Sequence, residues 1–192
     1  MQEVYWEKKK LSEISNKISD GIHSTPQYDE NGEYYFINGN NLIDTKIKFD
    51  VNTKRINEAE YLKYNSELTS QTILISINGT IGNLAFYNDE KVVLGKSVCY
   101  INLRSKDDKL FVFYLLQTSS IINHFNKELT GSTIRNLSLT TIKNTKAFFP
   151  SYKEQEKIAD FLSAIDQNIE AIAQQIELTE QFKKGLLQKM FV

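Results

Sequence analysis

The most regular pattern of apolar positions in the chain lies between Glu154 and Met190, near the C-terminus. Isoleucine and leucine recur there with alternating spacings of four and three residues, which places them on one face of an α-helix and is typical of a coiled-coil seam. The seam positions are Ile158, Leu162, Ile165, Ile169, Ile172 and Ile176. Acidic residues are concentrated in the first half of this segment and lysines in its last turns, as the helix macrodipole favours. The pattern predicts one continuous helix whose seam packs against a partner helix.

The predicted helix is longer than the rest of the chain is wide. At 1.5 Å per residue it spans roughly 55 Å, whereas a compact body of about 150 residues measures only about 35–40 Å across. Two partners are open for the first half of the helix, the chain's own body or a second helix. For the overhanging distal half we expect pairing between molecules. Beyond Ile176 the seam is occupied by Thr179 and Lys183, and Gly185 weakens the helix, so we expect the coil to end or change face there.

Shorter apolar segments precede the helix and predict a body of mixed strands and short helices. Strands are predicted at 34–37, 72–77, 83–87, 92–94, 97–103 and 146–149. Those between residues 72 and 103 are expected to form one antiparallel set. Helices are predicted at 56–64, in a long apolar segment capped by Asp107, and in a short segment capped by Ser138. The fold class is therefore α+β, with a globular body of antiparallel strands and short helices over residues 1–152 and one long C-terminal helix over residues 153–192.

Composition and charge narrow the function. The 192 residues carry a net charge of −1, with 23 Lys and Arg against 24 Asp and Glu. This balance argues against a free-standing nucleic-acid binder held by charge alone. The single cysteine, Cys99, with two histidines cannot form a Cys/His zinc site, and we predict neither a metal nor a cofactor. The N-terminal segment has no apolar signal region and no apolar run is long enough to cross a membrane, so we expect a soluble, cytoplasmic protein.

Sequence motifs of common enzyme classes are missing. The chain has no Gly-x-Ser-x-Gly and no His-Glu-x-x-His motif, and the segment Ser76–Gly82 has the wrong spacing for a phosphate-binding loop. Asp89, Glu90 and Lys91 form a cluster of the kind found in nucleases, but it lies in a predicted turn without the separated acidic partners that a metal ion needs. We therefore predict a protein without catalytic activity.

Polar side chains suited to DNA recognition are abundant instead. The chain contains 17 asparagines. Asn, Gln, Ser, Thr and Tyr are concentrated in glycine-containing loops, where Asn and Gln can pair bidentately with adenine and the smaller side chains can contact phosphate. Asn enrichment also follows from an A·T-rich genome, so composition alone does not decide the function.

Five groups of residues, in order along the chain, give the sequence a family resemblance. They are Trp6, Leu11 and Ile14 leading to Asp20–Tyr28; Tyr35–Ile37 before Asn40–Leu42; Ile73–Ser76 with Gly79–Gly82; Gly131–Leu137; and Phe149–Pro150 with Glu154–Gln155, Ile158, Phe161, Leu162 and Asp166. With these residues the sequence resembles the specificity (S) subunit of type I restriction-modification systems. The resemblance runs from end to end, with Lys96 and Ser151–Tyr152 as departures from the usual family residues.

This resemblance implies a role in DNA recognition. Subunits of the family usually contain two target-recognition domains, each followed by a helix, and the two helices pair antiparallel. This chain looks like a half subunit, so the resemblance implies a homodimer on double-stranded DNA, with a modification methyltransferase subunit and a restriction subunit as partners. The residues expected to contact DNA are His23, Ser24, Thr25, Gln27, Tyr28, Asn78, Gly79, Thr80, Gly82, Lys96, Thr133, Arg135 and Asn136. Dimer symmetry then predicts a bipartite target made of two identical, inverted half-sites.

Two other functions stay open on the sequence alone. One is a coiled-coil assembly protein whose body binds protein rather than DNA, which binding to random DNA libraries together with a methyltransferase would distinguish. The other is a stand-alone nuclease, which metal-dependent cleavage of DNA by the purified chain would reveal.

Overall fold

The computed structural model describes residues 5–131 and 135–191. The strands are β1 (Glu7–Lys10), β2 (Ser15–Asp20), β3 (Tyr34–Ile37), β4 (Leu42–Ile43), β5 (Lys46–Ile47), β6 (Lys54–Ile56), β7 (Thr72–Ser76), β8 (Leu84–Phe86), β9 (Val92–Leu94), β10 (Val98–Leu103) and β11 (Lys146–Phe149). The helices are α1 (Leu11–Ile14), α2 (Glu58–Tyr64), α3 (Lys109–Leu116), α4 (Ser119–Lys127), α5 (Leu139–Asn144) and α6 (Tyr152–Met190), with a 3-10 helix at Gly39–Asn41. The predicted α+β fold class is confirmed.

An antiparallel sheet in the order β2-β10-β7-β8 forms the centre of the body. Its inner strands β7 and β10 are buried along their whole length, because apolar residues cover both faces of the sheet. Side chains on one face, such as Ile73 and Ile101, pack with α3, α4 and the start of α6. Side chains on the other face, such as Leu74 and Tyr100, pack with β3 and β9. The alternation of side chains along a strand thus divides the core into two layers.

Strand β9 lies outside this sheet, so the prediction of one antiparallel set between residues 72 and 103 is wrong for it. Residues Val92–Leu94 pair in parallel with β3, which also pairs antiparallel with β6. Both edges of β10 are occupied, by β2 and β7, so the preceding strand has no free edge of β10 to join. The turn at residues 95–97 therefore connects two different sheets.

The long apolar helix predicted from residue 108 to residue 125 is two helices. α3 ends at Leu116 and α4 begins at Ser119, because Thr118 between them has an extended backbone with φ −65° and ψ 144°. The Thr118 hydroxyl donates a hydrogen bond to the carbonyl of Leu115 at 2.8 Å, which competes with continued helix. The apolar pattern runs across the break and could not reveal it.

Polar side chains form the N-terminal caps of α3 and α5. The Asp108 carboxylate accepts a hydrogen bond from the Phe111 amide at 2.7 Å, so the cap predicted at Asp107 is wrong by one residue. Asp107 is buried and accepts a bond from the Gln155 side chain instead. The short helix capped by Ser138 and the strand at 146–149 are confirmed.

The continuous C-terminal helix is also confirmed. α6 contains 39 residues, which corresponds to a length of about 58 Å. It passes Gly185 without interruption and ends at Met190. The expectation that the paired coil ends or changes face beyond Ile176 stays a prediction.

The first turns of α6 dock on the body through a flank beside the seam. Gln155 and Ala159 are buried, and the Tyr114 hydroxyl of α3 donates to the Asp166 carboxylate at 2.7 Å. Among the seam residues, Ile158 packs partly against the core and Leu162 is half-buried. The remaining seam residues Ile165, Ile169, Ile172 and Ile176 are 40%, 60%, 57% and 55% exposed. The body therefore holds the start of the helix and leaves the seam open from Ile165 onward.

The contact between Tyr114 and Asp166 predicts a pH-dependent contribution to stability. Desolvation, and then the hydrogen bond to the Asp166 carboxylate, raise the pKa of Tyr114 to about 12. Because this folded-state pKa lies above the ordinary value, the contribution is fully present below about pH 10 and is lost as the pH rises towards 12. We expect Tyr114→Phe to lower the free energy of unfolding by about 0.5–1 kcal/mol at neutral pH. Urea denaturation measures this loss, and spectrophotometric titration should show one late-ionising tyrosine that the variant lacks.

Exposed Tyr5 offers a matched control, because it lies outside the docking surface of α6. Tyr5→Phe should leave both the unfolding curve and the late titration step unchanged. Equal stability of Tyr114→Phe and the unmodified chain would show that the hydroxyl does not hold the helix to the body.

Candidate nucleic-acid interface

The turn Gly95–Ser97, between β9 and β10, is the point at which the predicted DNA-contacting segments meet. Its geometry is fixed by hydrogen bonds from the Gly95 amide to the Ile37 carbonyl and from the Val98 amide to the Gly95 carbonyl, at 2.8 and 2.9 Å. A Cβ atom on Gly95 would overlap Asn38 Oδ1 and lie 2.9 Å from the Phe36 ring, so a side chain there would force these neighbours to move. Lys96 is exposed at the tip of the turn.

The Ser97 side chain joins this turn to the 3-10 helix. Its hydroxyl accepts a hydrogen bond from the Gly39 amide and donates one to Asn38 Oδ1, both at 2.9 Å. The Asn38 amide in turn donates to Asn41 Oδ1 at 2.9 Å. These bonds hold the short helix beside the turn and leave Asn40 exposed next to it.

The second segment, Asn78–Gly82, leaves β7 directly beside the same turn. The Asn78 side-chain amide donates to the Lys96 carbonyl at 3.2 Å, and the Ile77 amide donates to the Ser97 carbonyl at 2.9 Å. Gly79 and Gly82 have φ angles of 72° and 89°, a left-handed conformation that favours glycine. Thr80 is exposed between them, whereas Gly82 lines a cavity together with β4 and the turn that follows it.

The third segment is closed by a pair of backbone hydrogen bonds. The Thr130 amide donates to the Asn136 carbonyl at 3.0 Å, and the Asn136 amide donates back to the Thr130 carbonyl at 2.8 Å. Asn136 also forms a β-bridge with Asn78, so Asn136 lies against the second segment. Arg135 is exposed, and the predicted Thr133 lies outside the described residues.

The fourth segment, residues 21–28, begins at the turn and leads away from it. The Ile22 amide donates to the Leu94 carbonyl at 2.8 Å, and Ile22 forms a β-bridge with Gly95. The exposed His23 ring is hydrogen-bonded to the Asp20 carboxylate at 2.8 Å. Ser24 and Thr25 are also exposed.

The outer end of this loop is anchored elsewhere. The Gln27 amide donates to the buried Glu60 carboxylate of α2 at 2.9 Å, and the half-exposed Tyr28 packs near Phe36 with Lys54 above its ring. The structure thus joins His23, Asn78, Lys96 and Asn136 through neighbouring contacts and places Gln27 and Tyr28 farther along the surface, beside α2 and β6.

Groups of metal-binding side chains do not occur in the described ranges, where no three His, Cys, Asp or Glu residues are close enough to hold an ion. The Asp89–Lys91 segment is a turn, with Asp89 at a left-handed φ of 61°. Cys99 is buried, and burial raises the pKa of its thiol well above the ordinary value. None of the helices in the described part of the chain has the length and apolar composition needed to span a membrane.

Comparison with known proteins decides the family. Residues 3–181 match the model of the type I restriction modification DNA specificity domain. The chain belongs to this specificity-domain family. The predicted resemblance to type I specificity subunits is thereby confirmed.

Individual relatives of this specificity domain are larger proteins. The chain is 29% identical to a putative type I restriction enzyme MjaX specificity subunit from Methanocaldococcus jannaschii, over 97% of this chain and 45% of that protein. It is 28% identical to a putative type I specificity subunit from Mycoplasma genitalium, over 62% of this chain and 31% of that protein. The chain therefore spans less than half the length of these curated relatives.

Solved structures show the same fold. A type I restriction-modification S subunit from M. genitalium matches 94% of this chain and 44% of its own length, with a TM-score of 0.63 and 23% identity. The HsdS subunit from Thermoanaerobacter tengcongensis matches 86% of this chain and 38% of its own length. Its TM-score is 0.62 and its sequence identity is 19%.

Sequence reasoning missed a further part of the surface of this specificity domain. Exposed Lys54 and Arg55 on β6 line a groove of about 520 Å³ together with Tyr28. The Arg55 guanidinium lies 5.2 Å from the centre of the Tyr35 ring and donates to its hydroxyl at 3.2 Å. Residues Tyr34 to Ile37 predicted a strand, but no local signal indicated that Arg55 of another strand would lie over the Tyr35 ring.

Proposed function

We propose that this chain is the DNA-recognition part of a type I restriction-modification complex and has no catalytic site of its own. In this proposal it acts as a homodimer that brings a modification methyltransferase subunit and a restriction subunit to a bipartite target. Residues 1–152 serve as the target-recognition domain and residues 153–192 as the dimerisation helix. The observation that carries the proposal is the convergence of separate polar segments on the Gly95–Ser97 turn.

Hydrogen-bonding groups on this surface suit base readout. Asn78 uses one of its two side-chain N–H groups to hold the Lys96 carbonyl, which leaves the other N–H and the Oδ1 atom for a base edge. Asparagine with both atoms free in this way can pair with the N6 and N7 atoms of adenine. The exposed side chains of Asn40, Thr25 and Thr80 add donors and acceptors along the same surface.

Cations at the rim of the surface suit the phosphate backbone. Lys96 and Arg135 are exposed on segments that both contact Asn78, and Lys54 and Arg55 lie beyond the 21–28 loop. Phosphate contacts fix the position of a protein on the duplex, while base contacts supply the sequence preference. A near-neutral chain can bind DNA in this manner because exposed cations lie beside the polar loops that would contact the bases.

The exposed seam of α6 supports the homodimer. Its open isoleucines, Ile165, Ile169, Ile172 and Ile176, are each about half exposed in a single chain. Burying them in two copies would contribute on the order of 8 kcal/mol of gross apolar free energy. A second copy supplies the same seam, so a symmetric pair covers both.

Selection from a random duplex library tests the proposal, with the chain and a modification methyltransferase subunit present together. We expect the selected DNA to contain two identical half-sites in inverted orientation. Lys96→Ala and Arg135→Ala should each weaken binding about tenfold for all sequences and reduce the slope of log affinity against log salt by about one unit. Fluorescence anisotropy at several salt concentrations measures both effects.

Exposed Lys143 offers a matched control, because it lies near Ser15 at the opposite end of β2 from the candidate interface. Lys143→Ala should change neither affinity nor salt dependence. If the selection enriches no DNA sequence, the result would contradict the proposal and would favour the alternative in which the globular body binds protein.

A further inference from the structure

Two exposed phenylalanines on α6 lie beside the seam rather than on it. Phe161 and Phe182 are each 68% exposed. They are 21 residues apart, which is three heptads, and each precedes a seam position, Leu162 and Lys183 respectively. Both therefore occupy the same heptad position, on the flank of the helix that faces away from the body. The opposite flank carries Ala159 and Asp166, which contact the body.

From this arrangement we propose the register in which two copies of α6 pair. The proposal rests on the homodimer of the proposed function. In an antiparallel pair of identical helices, like flanks meet, so the flank that carries Phe161 lies against the same flank of the second copy. Phe161 of one copy packs on Phe182 of the other when Ile165 lies opposite Ile176 and Ile169 lies opposite Ile172. The two-fold axis then passes between Glu170 and Ala171.

The charge distribution favours this direction of pairing. Residues 153–170 contain two lysines and five acidic residues, for a net charge of −3, whereas residues 181–191 contain three lysines and no acidic residue, for a net charge of +3. An antiparallel pair sets the acidic start of each helix beside the basic end of the other. A parallel pair would set like charges together along the whole length.

Registers shifted by one heptad in either direction lose the contact between Phe161 and Phe182. Shifting one helix by a heptad in one direction pairs Ile165 with Ile169 and places Phe161 opposite Gln175. A shift in the other direction pairs Ile172 with Ile176 and places Phe161 opposite Lys189. Only the proposed register places the four open isoleucines opposite one another and both phenylalanine pairs in contact.

This register also sets the separation of the two bodies. Contacts between α6 and the body extend from Gln155 to Asp166, and their midpoint lies about ten residues from the proposed axis. At 1.5 Å per residue the two docking points are about 30 Å apart, close to one turn of B-form DNA. A shift by one heptad would change this separation by about 10 Å, or about three base pairs.

Disulfide cross-linking of the full chain tests the register. We expect the double variant Ile165→Cys with Ile176→Cys to form a covalent dimer under mild oxidation, reversible by reductant. The pairs Ile165→Cys with Ile169→Cys, and Ile172→Cys with Ile176→Cys, should not, and neither should Ile169→Cys alone, which reports a parallel pair. The native Cys99 is buried, so it should not contribute.

The outcomes separate the register from the dimer itself. If light scattering shows a dimer but a different cysteine pair cross-links, the register is wrong and the proposed function still stands. A monomeric chain that cross-links in no variant overturns both. As an independent measurement, Phe161→Ala should raise the dimer dissociation constant on the order of tenfold, because two symmetric aromatic contacts are lost.

Leu178 provides the control for that variant, since it is 65% exposed but lies away from the proposed interface. Leu178→Ala should leave the dissociation constant unchanged. If Leu178→Ala weakens the dimer and Phe161→Ala does not, the pairing uses a different face of α6 and the register is wrong.

Discussion

Replacing both Ile169 and Ile172 with aspartate is expected to convert the chain from a dimer to a monomer. In the proposed pair these residues form the layers on either side of the two-fold axis, so the double variant would bring four carboxylates together in an apolar seam. Desolvating an unpaired carboxylate costs several kcal/mol. We expect the dissociation constant to rise by at least about a thousandfold. Size-exclusion chromatography with light scattering, over a range of concentrations, measures this change.

Two glutamines on the opposite face of the same helix turns allow a matched control. Gln167 and Gln174 are exposed and one heptad apart, so Gln167→Asp with Gln174→Asp adds the same charge without reaching the seam. This control should remain dimeric. Both double variants should keep the thermal stability of the body, because all four side chains are exposed in the single chain. If the chain carrying Ile169→Asp with Ile172→Asp stays dimeric, α6 pairs through another surface or not at all.

Replacing Gly95 with alanine is expected to weaken DNA binding strongly, because the added methyl group overlaps the side chains that hold the Gly95–Ser97 turn. The new Cβ would overlap Asn38 Oδ1, so the Asn38 side chain or the turn must move. Either movement breaks the bond from Ser97 to Asn38, and movement of the turn also strains the Gly39 bond and displaces the Lys96 tip. We expect a loss of about 2–3 kcal/mol in the free energy of unfolding and a fall in DNA affinity on the order of a hundredfold.

Gly79 distinguishes displacement of the turn from simple loss of stability. A Cβ at Gly79 meets nothing within 4 Å, but its φ of 72° is strained for alanine. Gly79→Ala should therefore cost about 1–2 kcal/mol of stability without any overlap with the Gly95–Ser97 turn. Urea denaturation and anisotropy on the selected DNA compare the two variants. If Gly95→Ala binds DNA as well as Gly79→Ala does, the Gly95–Ser97 turn is not the centre of the interface.

The long helix was predictable because its information is local. The spacing of Ile165, Ile169, Ile172 and Ile176 indicates both a helix and its apolar face, and recognising either needs no information from other parts of the chain. The position of its docking contact was not predictable in the same way. Gln155 and Asp166 bind the body through polar side chains that look like ordinary surface residues in the sequence.

Strand partners and the candidate interface depend on contacts between distant segments. The apolar run Val92–Leu94 predicts a strand correctly, but its parallel partner follows from the occupied edges of β10, which no local pattern encodes. The meeting of Asn78, Lys96 and Asn136 likewise depends on the order of strands in the sheet. Family resemblance pointed to these segments, whereas periodicity alone identified them only as polar turns.

The bonds that hold the Gly95–Ser97 turn come mainly from the backbone and from the inward side chains of Asn38 and Ser97, while the tips at Lys96, Thr80 and Asn40 extend outward and support little of the fold. Substitutions at the tips should therefore be tolerated with little loss of stability. Such a division allows the preferred nucleotide sequence to change through evolution by exchange of a few outer side chains, while the scaffold beneath them is inherited intact.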